Sequence, residues 1–142
     1  MSLPAGIPTP ERIEADVVVL GSGAAGLMAV RHARGADPSL RVVLASKGLV
    51  GRSGCSIMAV GINAALGADD EPATHFADIV RGGAFVVDQA LAAALSGDAP
   101  AVVGELVGEL GCRFDRAPDG ALRLSPFAGQ SRNRKVSHGH LT

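Results

Sequence analysis

Three glycines near the start of the chain, Gly21, Gly23 and Gly26, have the spacing that lets a backbone loop hold a phosphate. They follow the mostly apolar run 16–20 and open the small-residue segment 24–30, an order that predicts a strand, a tight turn and a helix N-terminus. Free N–H groups and the positive end of the helix dipole would hold a pyrophosphate without any basic side chain. The sequence therefore predicts a dinucleotide ligand, with a glycine-rich turn that binds nothing as the alternative.

A second apolar run, residues 41–45, follows a helix predicted to end near Arg34 and completes a βαβ unit. An acidic residue commonly binds the adenosine ribose at the end of this strand, but here the position holds Ser46 and Lys47. The lysine could face the 2′-phosphate of NADP. Alternatively, the serine hydroxyl and the backbone could bind the ribose while the lysine stays solvated.

The stretch from Gly48 to Gly67 shows neither helical nor alternating periodicity and is rich in glycine. An irregular backbone with small residues suits close contact with a flat ligand. A mobile surface loop is the alternative, and the apolar run 57–60 counts against it because a solvated loop would not need such a run.

Composition limits the partners of this 142-residue chain. A net charge of −1 and only 13 lysines and arginines argue against nucleic acid and anionic membranes as partners. No apolar run approaches the roughly 20 residues of a membrane span, so we expect no direct membrane insertion. Residues 1–14 are predicted to form a flexible leader without a secretion signal, which implies a cytoplasmic location. Because few strands are visible for a complete dinucleotide-binding sheet, the chain is interpreted as part of a larger protein.

The remaining elements are predicted to be scaffold. We expect a helix over 72–81 that ends at the glycine pair 82–83, then helices that begin near Asp88 and near Asp98, the second with Pro100 in its first turn. Gly111 is predicted to end that helix in the left-handed conformation, and a short hairpin is predicted to turn at residues 118–120.

The isolated reactive side chains are interpreted as structural, and no metal site is predicted. Their expected roles are two core-filling thiols (Cys55, Cys112), a half-exposed surface residue (His75), a solvated acidic turn (Asp69, Asp70, Glu71) and a solvated basic run (132–135). The basic run could instead bind a phosphate or a dicarboxylate, and the pair His138 and His140 is too small a set for a metal ion.

In combination, several segments resemble the flavoprotein subunit family of succinate dehydrogenase and fumarate reductase. This family includes L-aspartate oxidase and the adenylylsulfate reductase flavoprotein. The segments are ADVVVLGSGAAGL, RVVLASKG, GRSG, GINAALG, GCRFDRAPDGAL and PFAGQSR. The resemblance covers nearly the whole chain beyond residue 14. It implies an α/β fold that is the N-terminal part of a Rossmann-like FAD-binding domain: a βαβ unit, a glycine-rich flavin loop, helices and a short hairpin, without the capping domain.

The resemblance also implies that FAD is the cofactor and leaves NADP a minor alternative. The implied contacts fall into three groups, for the pyrophosphate, the adenosine ribose, and the isoalloxazine and ribityl parts. They are, in that order, Gly21, Ser22, Gly23, Ala24, Ala25 and Gly26; Ser46, Lys47 and Gly48; and Ser53, Gly54, Cys55, Ser56, Ile57, Met58, Ala59, Val60 and Gly61.

Two departures from the family pattern refine this expectation. Membrane-bound members link FAD to a histidine in an RSH triplet, whereas this chain has Gly54 there, so the FAD would be non-covalent. The FGGH segment of the family ends here in Gln130, which argues against direct chemistry at that residue.

The implied reaction is hydride transfer between flavin N5 and a dicarboxylate, with catalytic residues that lie outside this chain. An adenylylsulfate reductase fragment and a non-catalytic flavin-binding module are the alternatives. The implied partners are a dicarboxylate substrate and either an iron–sulfur subunit or a complementing chain.

Overall fold

A computed structural model of the chain describes residues 12–138, apart from the side chain of Met58. Most of the predicted leader, residues 1–14, and the histidine at position 140 lie outside the described residues. The chain divides into two compact units, Met1–Ala59 and Val60–Thr142, and each is described by itself below.

The first unit is built on a parallel pair of strands. Strand β1 (Val17–Leu20) pairs with β2 (Val42–Ala45), and helix α1 (Ala24–Ala36) connects them. The βαβ prediction is confirmed, although α1 continues two residues past the predicted end at Arg34, because Gly35 lies within its last turn and Asp37 caps it.

An ion pair on the surface joins the starts of the two strands. The Arg41 guanidinium donates from Nε and Nη2 to the Asp16 carboxylate at 3.2 and 3.0 Å, and the Arg41 backbone N–H donates to the same group at 2.8 Å. These bonds from Arg41 lower the pKa of Asp16 to about 2. The Asp16 carboxylate is thus a fixed negative group that joins the two strands before the ladder begins.

The second unit consists of helices and short strands around a small core. Its elements are β3 (Ile62–Asn63), α3 (Pro72–Gly82), α4 (Gln89–Gly108) and β4 (Lys135–Val136); α2 (Cys55–Met58) belongs to the first unit. Strands β3 and β4 are antiparallel, with Ile62 opposite Val136, and α3 packs against α4. The buried core consists of Ala64, Ala99, Val103, Phe114 and Val136.

The segment between the end of α4 and β4 turns as predicted. Gly111 has a φ of 64°, and residues 117–121 form a turn in which the Gly120 N–H donates to the Ala117 carbonyl. The bridge between Arg116 and Leu122 makes this a short hairpin.

Helix α4 corrects the prediction that separate helices begin near Asp88 and Asp98. Asp88 does cap the helix, since its Oδ1 accepts from the N–H groups of Ala90 and Leu91 at 2.9 and 3.1 Å, but the helix then runs unbroken through Pro100. A proline inside a helix costs about 3 kcal/mol. The helix continues because one buried stripe crosses the proline without interruption: Ala92, Ser96, Ala99 and Val103.

Helix α4 is also long and apolar enough to cross a membrane by length and composition, although polar residues interrupt its sequence and it contains no continuous apolar run of that length. The helix has 20 residues, and an 18-residue window within it has a mean hydropathy of 1.4, with 22% of that window buried. The buried side of the helix contributes Ala99 and Val103 to the core of the second unit.

A buried ion pair joins the beginning of α3 to the segment before β4. The guanidinium of Arg134, which has no exposed surface, donates from Nε and Nη2 to the carboxylate of Asp70 at 2.6 and 2.8 Å. Its Nη1 donates to Asp78 Oδ2 at 2.5 Å and to Gln130 Oε1 at 2.8 Å. Ser131 adds two donors to Asp78 Oδ2, from its N–H at 2.8 Å and its Oγ at 2.7 Å. We call these five residues the Arg134 cluster.

The Arg134 cluster overturns three predictions. Asp70 is not solvated, and Arg134 is not part of a solvated basic run, because each neutralises the other inside the unit. His75 is not a surface residue but 1% exposed, since α3 turns the face with His75 and Asp78 toward the cluster. Burial, followed by the charge of Arg134, lowers the pKa of His75.

We predict that Arg134→Met destabilises the chain by about 3–5 kcal/mol, because it leaves the buried carboxylate of Asp70 without its cation and leaves Asp78 with the exposed Arg81 at 3.5 Å in place of the buried guanidinium. The free energy of unfolding is measured by urea titration followed by circular dichroism. Arg132→Met is the matched control: Arg132 is about half exposed and lies 3.5 Å from Asp69, so its loss should cost about 1 kcal/mol or less. Equal effects of the two substitutions would contradict the assignment of the buried pair.

We further predict that the stability falls as the pH drops from about 4 toward 2. Burial raises the pKa of Asp78, but the hydrogen bonds from Arg134 and Ser131 outweigh it and lower the pKa from 3.8 to about 2. Because the folded-state value is the lower one, the stabilisation is complete above the unfolded value and is lost as the pH falls through the folded value. Urea midpoints from pH 2 to 6 should show a smaller slope in Asp78→Asn and an unchanged slope in the exposed control Asp69→Asn.

Candidate functional site

The serine at the centre of the glycine fingerprint holds three loops together. Ser22 is fully buried, and its Oγ is hydrogen-bonded to Ser46 Oγ at 2.9 Å and to Ser53 Oγ at 3.1 Å. These serines lie in the loop after β1, at the end of β2 and in the loop before α2. The structure therefore brings together members of all three predicted contact groups, within the first unit.

A second serine shapes the loop before α2. The Oγ of Ser56 donates to the carbonyl of Gly51 at 2.9 Å and to that of Ser53 at 2.5 Å. This closes the 51–56 loop on itself and fixes Ser53 beside Ser22. The loop is thus ordered by its own hydroxyl groups rather than by apolar packing.

Two of the fingerprint glycines are required by the fold itself. Gly21 has a φ of 97°, in the left-handed region where side chains are strained. A Cβ on Gly26 would overlap the carbonyl oxygen of Gly21 and lie 3.4 Å from Val19 Cγ1, so only a glycine lets α1 approach β1. Both residues therefore have structural reasons to be glycine.

Gly23 differs from Gly21 and Gly26 because neither its backbone conformation nor its packing requires a glycine. Its φ is −70°, which any residue adopts, and an added Cβ would meet only the carbonyl oxygen of Ser53 at an ordinary 3.5 Å. The space beside Gly23 is the space that a pyrophosphate would need. The residues present therefore fit a dinucleotide cofactor.

The start of α1 has the electrostatics of an anion site. Gly23 is the N-cap and offers no side-chain hydrogen bond, the first turn carries no acidic residue, and Ala24 and Ala25 are exposed. The first N–H groups of α1 thus meet no capping side chain and no competing carboxylate.

The other predicted contacts in the first unit are mostly exposed. Lys47 and Gly48 lie on the surface after β2, and Gly54, Cys55, Ile57 and Ala59 are exposed around α2. Cys55 is therefore not the core-filling thiol that the sequence predicted, because it occupies the first position of a four-residue helix that is not packed into a core. The side chain of Met58 lies outside what the structure describes.

The last two predicted contacts, Val60 and Gly61, belong to the second unit. Gly61 has a structural reason to be glycine: a Cβ there would lie 2.6 Å from the carbonyl oxygen of Val136 and 2.9 Å from Lys135 Cγ. Gln130 accepts a hydrogen bond from Arg134, and Arg134 is occupied by two carboxylates, so this residue of the basic run is not available to bind an anion. Among residues 12–138, no group of three metal-ligating side chains comes together.

A comparison with known families identifies the fold around these loops. A family model described as an FAD binding domain matches residues 16–142. The chain belongs to this family. It is the FAD-binding portion of flavoproteins of the fumarate reductase, succinate dehydrogenase and L-aspartate oxidase type, which are FAD-dependent oxidoreductases.

Two curated relatives and one solved structure illustrate the likeness. One subunit of the fumarate reductase (CoM/CoB) of Methanothermobacter marburgensis is 40% identical over 93% of this chain and 24% of its own length. The L-aspartate oxidase of Mesorhizobium japonicum is 40% identical over 84% of this chain and 22% of its own length. The structure of Mycobacterium smegmatis Sdh1 in complex with UQ1 superposes with a TM-score of 0.80 at 37% identity, over 92% of this chain and 22% of that one.

The family resemblance read from the sequence is therefore confirmed, and so is FAD as the cofactor. The chain spans about a quarter of the length of the curated relatives it matches. The sequence analysis did not predict that the Ser22 side chain joins three loops. The available signal was a serine in each of three glycine-rich segments, at positions 22, 46 and 53.

We predict that Gly26→Ala destabilises the first unit by at least about 1–3 kcal/mol, since the new methyl group overlaps backbone that cannot move aside. Gly35→Ala in the same helix is the control. A Cβ at Gly35 meets nothing within 4 Å, so alanine should stabilise the helix by up to about 1 kcal/mol. Unfolding in urea distinguishes the two, and a neutral Gly26→Ala would contradict the close approach of α1 to β1.

Proposed function

We propose that the three loops joined by Ser22 hold FAD through its adenosine diphosphate part. The backbone of residues 21–26 would bind the pyrophosphate, with the N–H groups at the start of α1 as donors. The proposal rests on the unused space at Gly23. The fold itself would accept a side chain at this position, whereas a phosphate bound there would clash with one. Ser46, Lys47 and Gly48, at the end of β2, would bind the ribose.

The contacts of the flavin ring are proposed from the family resemblance. Residues 53–61 would line the isoalloxazine and ribityl parts, and the cofactor would be non-covalent because Gly54 has no side chain to form a link. The backbone supports this assignment: Gly54 has a φ of 58° and a ψ of −142°, a conformation that favours glycine. We also propose that β1, α1 and β2 are the first βαβ unit of a Rossmann-like sheet, supported by their parallel register.

The activity of the larger protein is proposed as hydride transfer with a dicarboxylate substrate. Bound FAD supplies the hydride acceptor or donor, and this chain's share is to bind and orient the cofactor. The proposal is supported by relatives that are named as fumarate reductase and L-aspartate oxidase. An iron–sulfur subunit or a complementing chain is proposed as the protein partner, supported in general terms by relatives that are named as subunits.

Helix α4 is proposed to be a core helix rather than a membrane span, supported by its buried stripe and by the acidic residues Asp98 and Glu105 within it. The cytoplasmic location and the division into a leader, residues 1–14, and a domain portion, residues 15–142, stay predictions.

The proposed site is tested by FAD retention. The purified chain is incubated with excess FAD and desalted, and we expect bound flavin with absorbance bands near roughly 370 and 450 nm. Gly23→Ala should weaken binding by about tenfold or more while leaving the urea midpoint within about 0.5 kcal/mol of the unmodified chain.

Gly35→Ala, which adds the same methyl group to the other end of α1, should retain FAD as the unmodified chain does. Equal retention by both variants would refute the pyrophosphate assignment at Gly23. A colourless unmodified chain would instead show that these loops are not sufficient to hold FAD.

A further inference from the structure

The 51–56 loop, which contains the first residues assigned to the flavin end of the cofactor, has few attachments to the rest of the first unit. None of its residues is buried. Its hydrogen bonds within the described part of the chain stay among residues 49–59, with one exception. The exception is the bond between Ser53 Oγ and Ser22 Oγ, at 3.1 Å. A loop with so few buried contacts depends on each bond that it makes.

The glycine fingerprint lies beside this loop but offers one side chain to hold it. A Cβ added to Gly23 would lie 3.5 Å from the carbonyl oxygen of Ser53, so the two backbones are neighbours. Gly23 itself has no side chain that could bond to the loop. Ser22, one residue earlier and fully buried, supplies the bond. Its hydroxyl group is therefore a fixed point that positions a loop without buried residues.

The adenosine end of the proposed site depends less on Ser22. The hydroxyl oxygens of Ser46 and Ser22 are hydrogen-bonded at 2.9 Å. The backbone before Ser46 is also held in another way, because Ala45 is paired with Leu20 in the parallel ladder. In addition, the Ala45 carbonyl accepts from the Gly21 N–H at 2.8 Å. Loss of the Ser22 hydroxyl should therefore free the 51–56 loop and leave the end of β2 in place.

We propose that Ser22 is a positioning residue that determines how strongly this site prefers complete FAD over adenosine diphosphate (ADP) alone. The inference rests on the proposed FAD site. Because the Ser22 side chain has no exposed surface, it acts on the cofactor through Ser53, by keeping the loop where it can line the isoalloxazine and ribityl parts. Without this bond, FAD must order the loop as it binds, and that cost affects only the flavin half of the cofactor.

The affinities of the chain for ADP and for FAD are measured by isothermal titration calorimetry. In Ser22→Ala we expect the affinity for FAD to fall by about fivefold to tenfold, the effect of one lost hydrogen bond, and the affinity for ADP to change by less than about twofold. A general loss of folded protein would lower both affinities by the same factor and leave their ratio unchanged. Ser39→Ala is the matched control, since it removes an exposed hydroxyl that bonds to Asp37, and it should leave both affinities unchanged.

A second measurement follows the loop without any ligand. Backbone nitrogen relaxation, measured by NMR, should give order parameters for residues 51–56 that fall from about 0.85, typical of rigid backbone, to below about 0.6 in Ser22→Ala. Residues 42–46 should remain rigid. Ser53→Ala breaks the same bond from the loop side and keeps the bond between Ser22 and Ser46, so it should loosen the loop equally. Unchanged order parameters in these two variants would overturn the proposal.

The outcomes separate this inference from the proposed function on which it rests. If the unmodified chain binds neither ADP nor FAD, the proposed site is refuted, and the positioning role of Ser22 is refuted with it. If the chain binds both ligands and Ser22→Ala keeps the same ratio of affinities, the positioning role alone is overturned.

Discussion

The second unit depends on one buried cation. The guanidinium of Arg134 connects the start of α3, through Asp70, to the middle of that helix, through Asp78, and it stands directly before β4. Two carboxylates could not be buried side by side without it, because their mutual repulsion would add to the loss of hydration. The guanidinium therefore ties the residue directly before β4, the strand that pairs with β3, to α3. The bidentate geometry with Asp70 explains why the group is arginine and not lysine.

In the first unit, the three loops at the end of the parallel strands are joined by hydroxyl groups rather than by ion pairs. Ser22, Ser46 and Ser53 join three loops at the end of the parallel strands without placing any charge near the start of α1. A charged connection there would compete with a phosphate for the same N–H groups, or would draw the phosphate away from them. Neutral hydroxyls avoid both effects. The loops are thus held together while the positive end of α1 stays available to an anionic ligand.

Local features of the fold could be predicted from sequence, and distant pairings could not. The strand, turn and helix around Gly21–Gly26, the βαβ unit and the hairpin turn at 118–120 follow from patterns within about 30 residues, and the structure has them. Asp70 and Arg134 each lie in a run of charged residues, which is typical of a solvated surface. Their sequence neighbours give no sign of a partner 64 residues away. The sequence analysis placed His75 on the surface for the same reason, because its sequence neighbours do not reveal the distant residues that bury it. For Pro100 the local pattern predicted a feature that the structure does not have. Proline favours the first turn of a helix, but the buried stripe along α4 outweighs this preference and the helix continues through the proline.

The spacing of the two ion pairs along the chain has a consequence for folding. The pair Asp16–Arg41 closes a loop of 25 residues, whereas Arg134–Asp70 closes one of 64, which costs about 0.8 kcal/mol more in chain entropy. Contacts at short separation form earlier in folding than contacts at long separation. During synthesis, β1 can therefore pair with β2 once Ala45 has emerged from the ribosome, while Asp70 and Asp78 cannot meet the Arg134 guanidinium until residue 134 is made. Over that interval the exposed Arg81 is a cation near Asp78, and both carboxylates keep the hydration that they lose when Arg134 joins them in the interior.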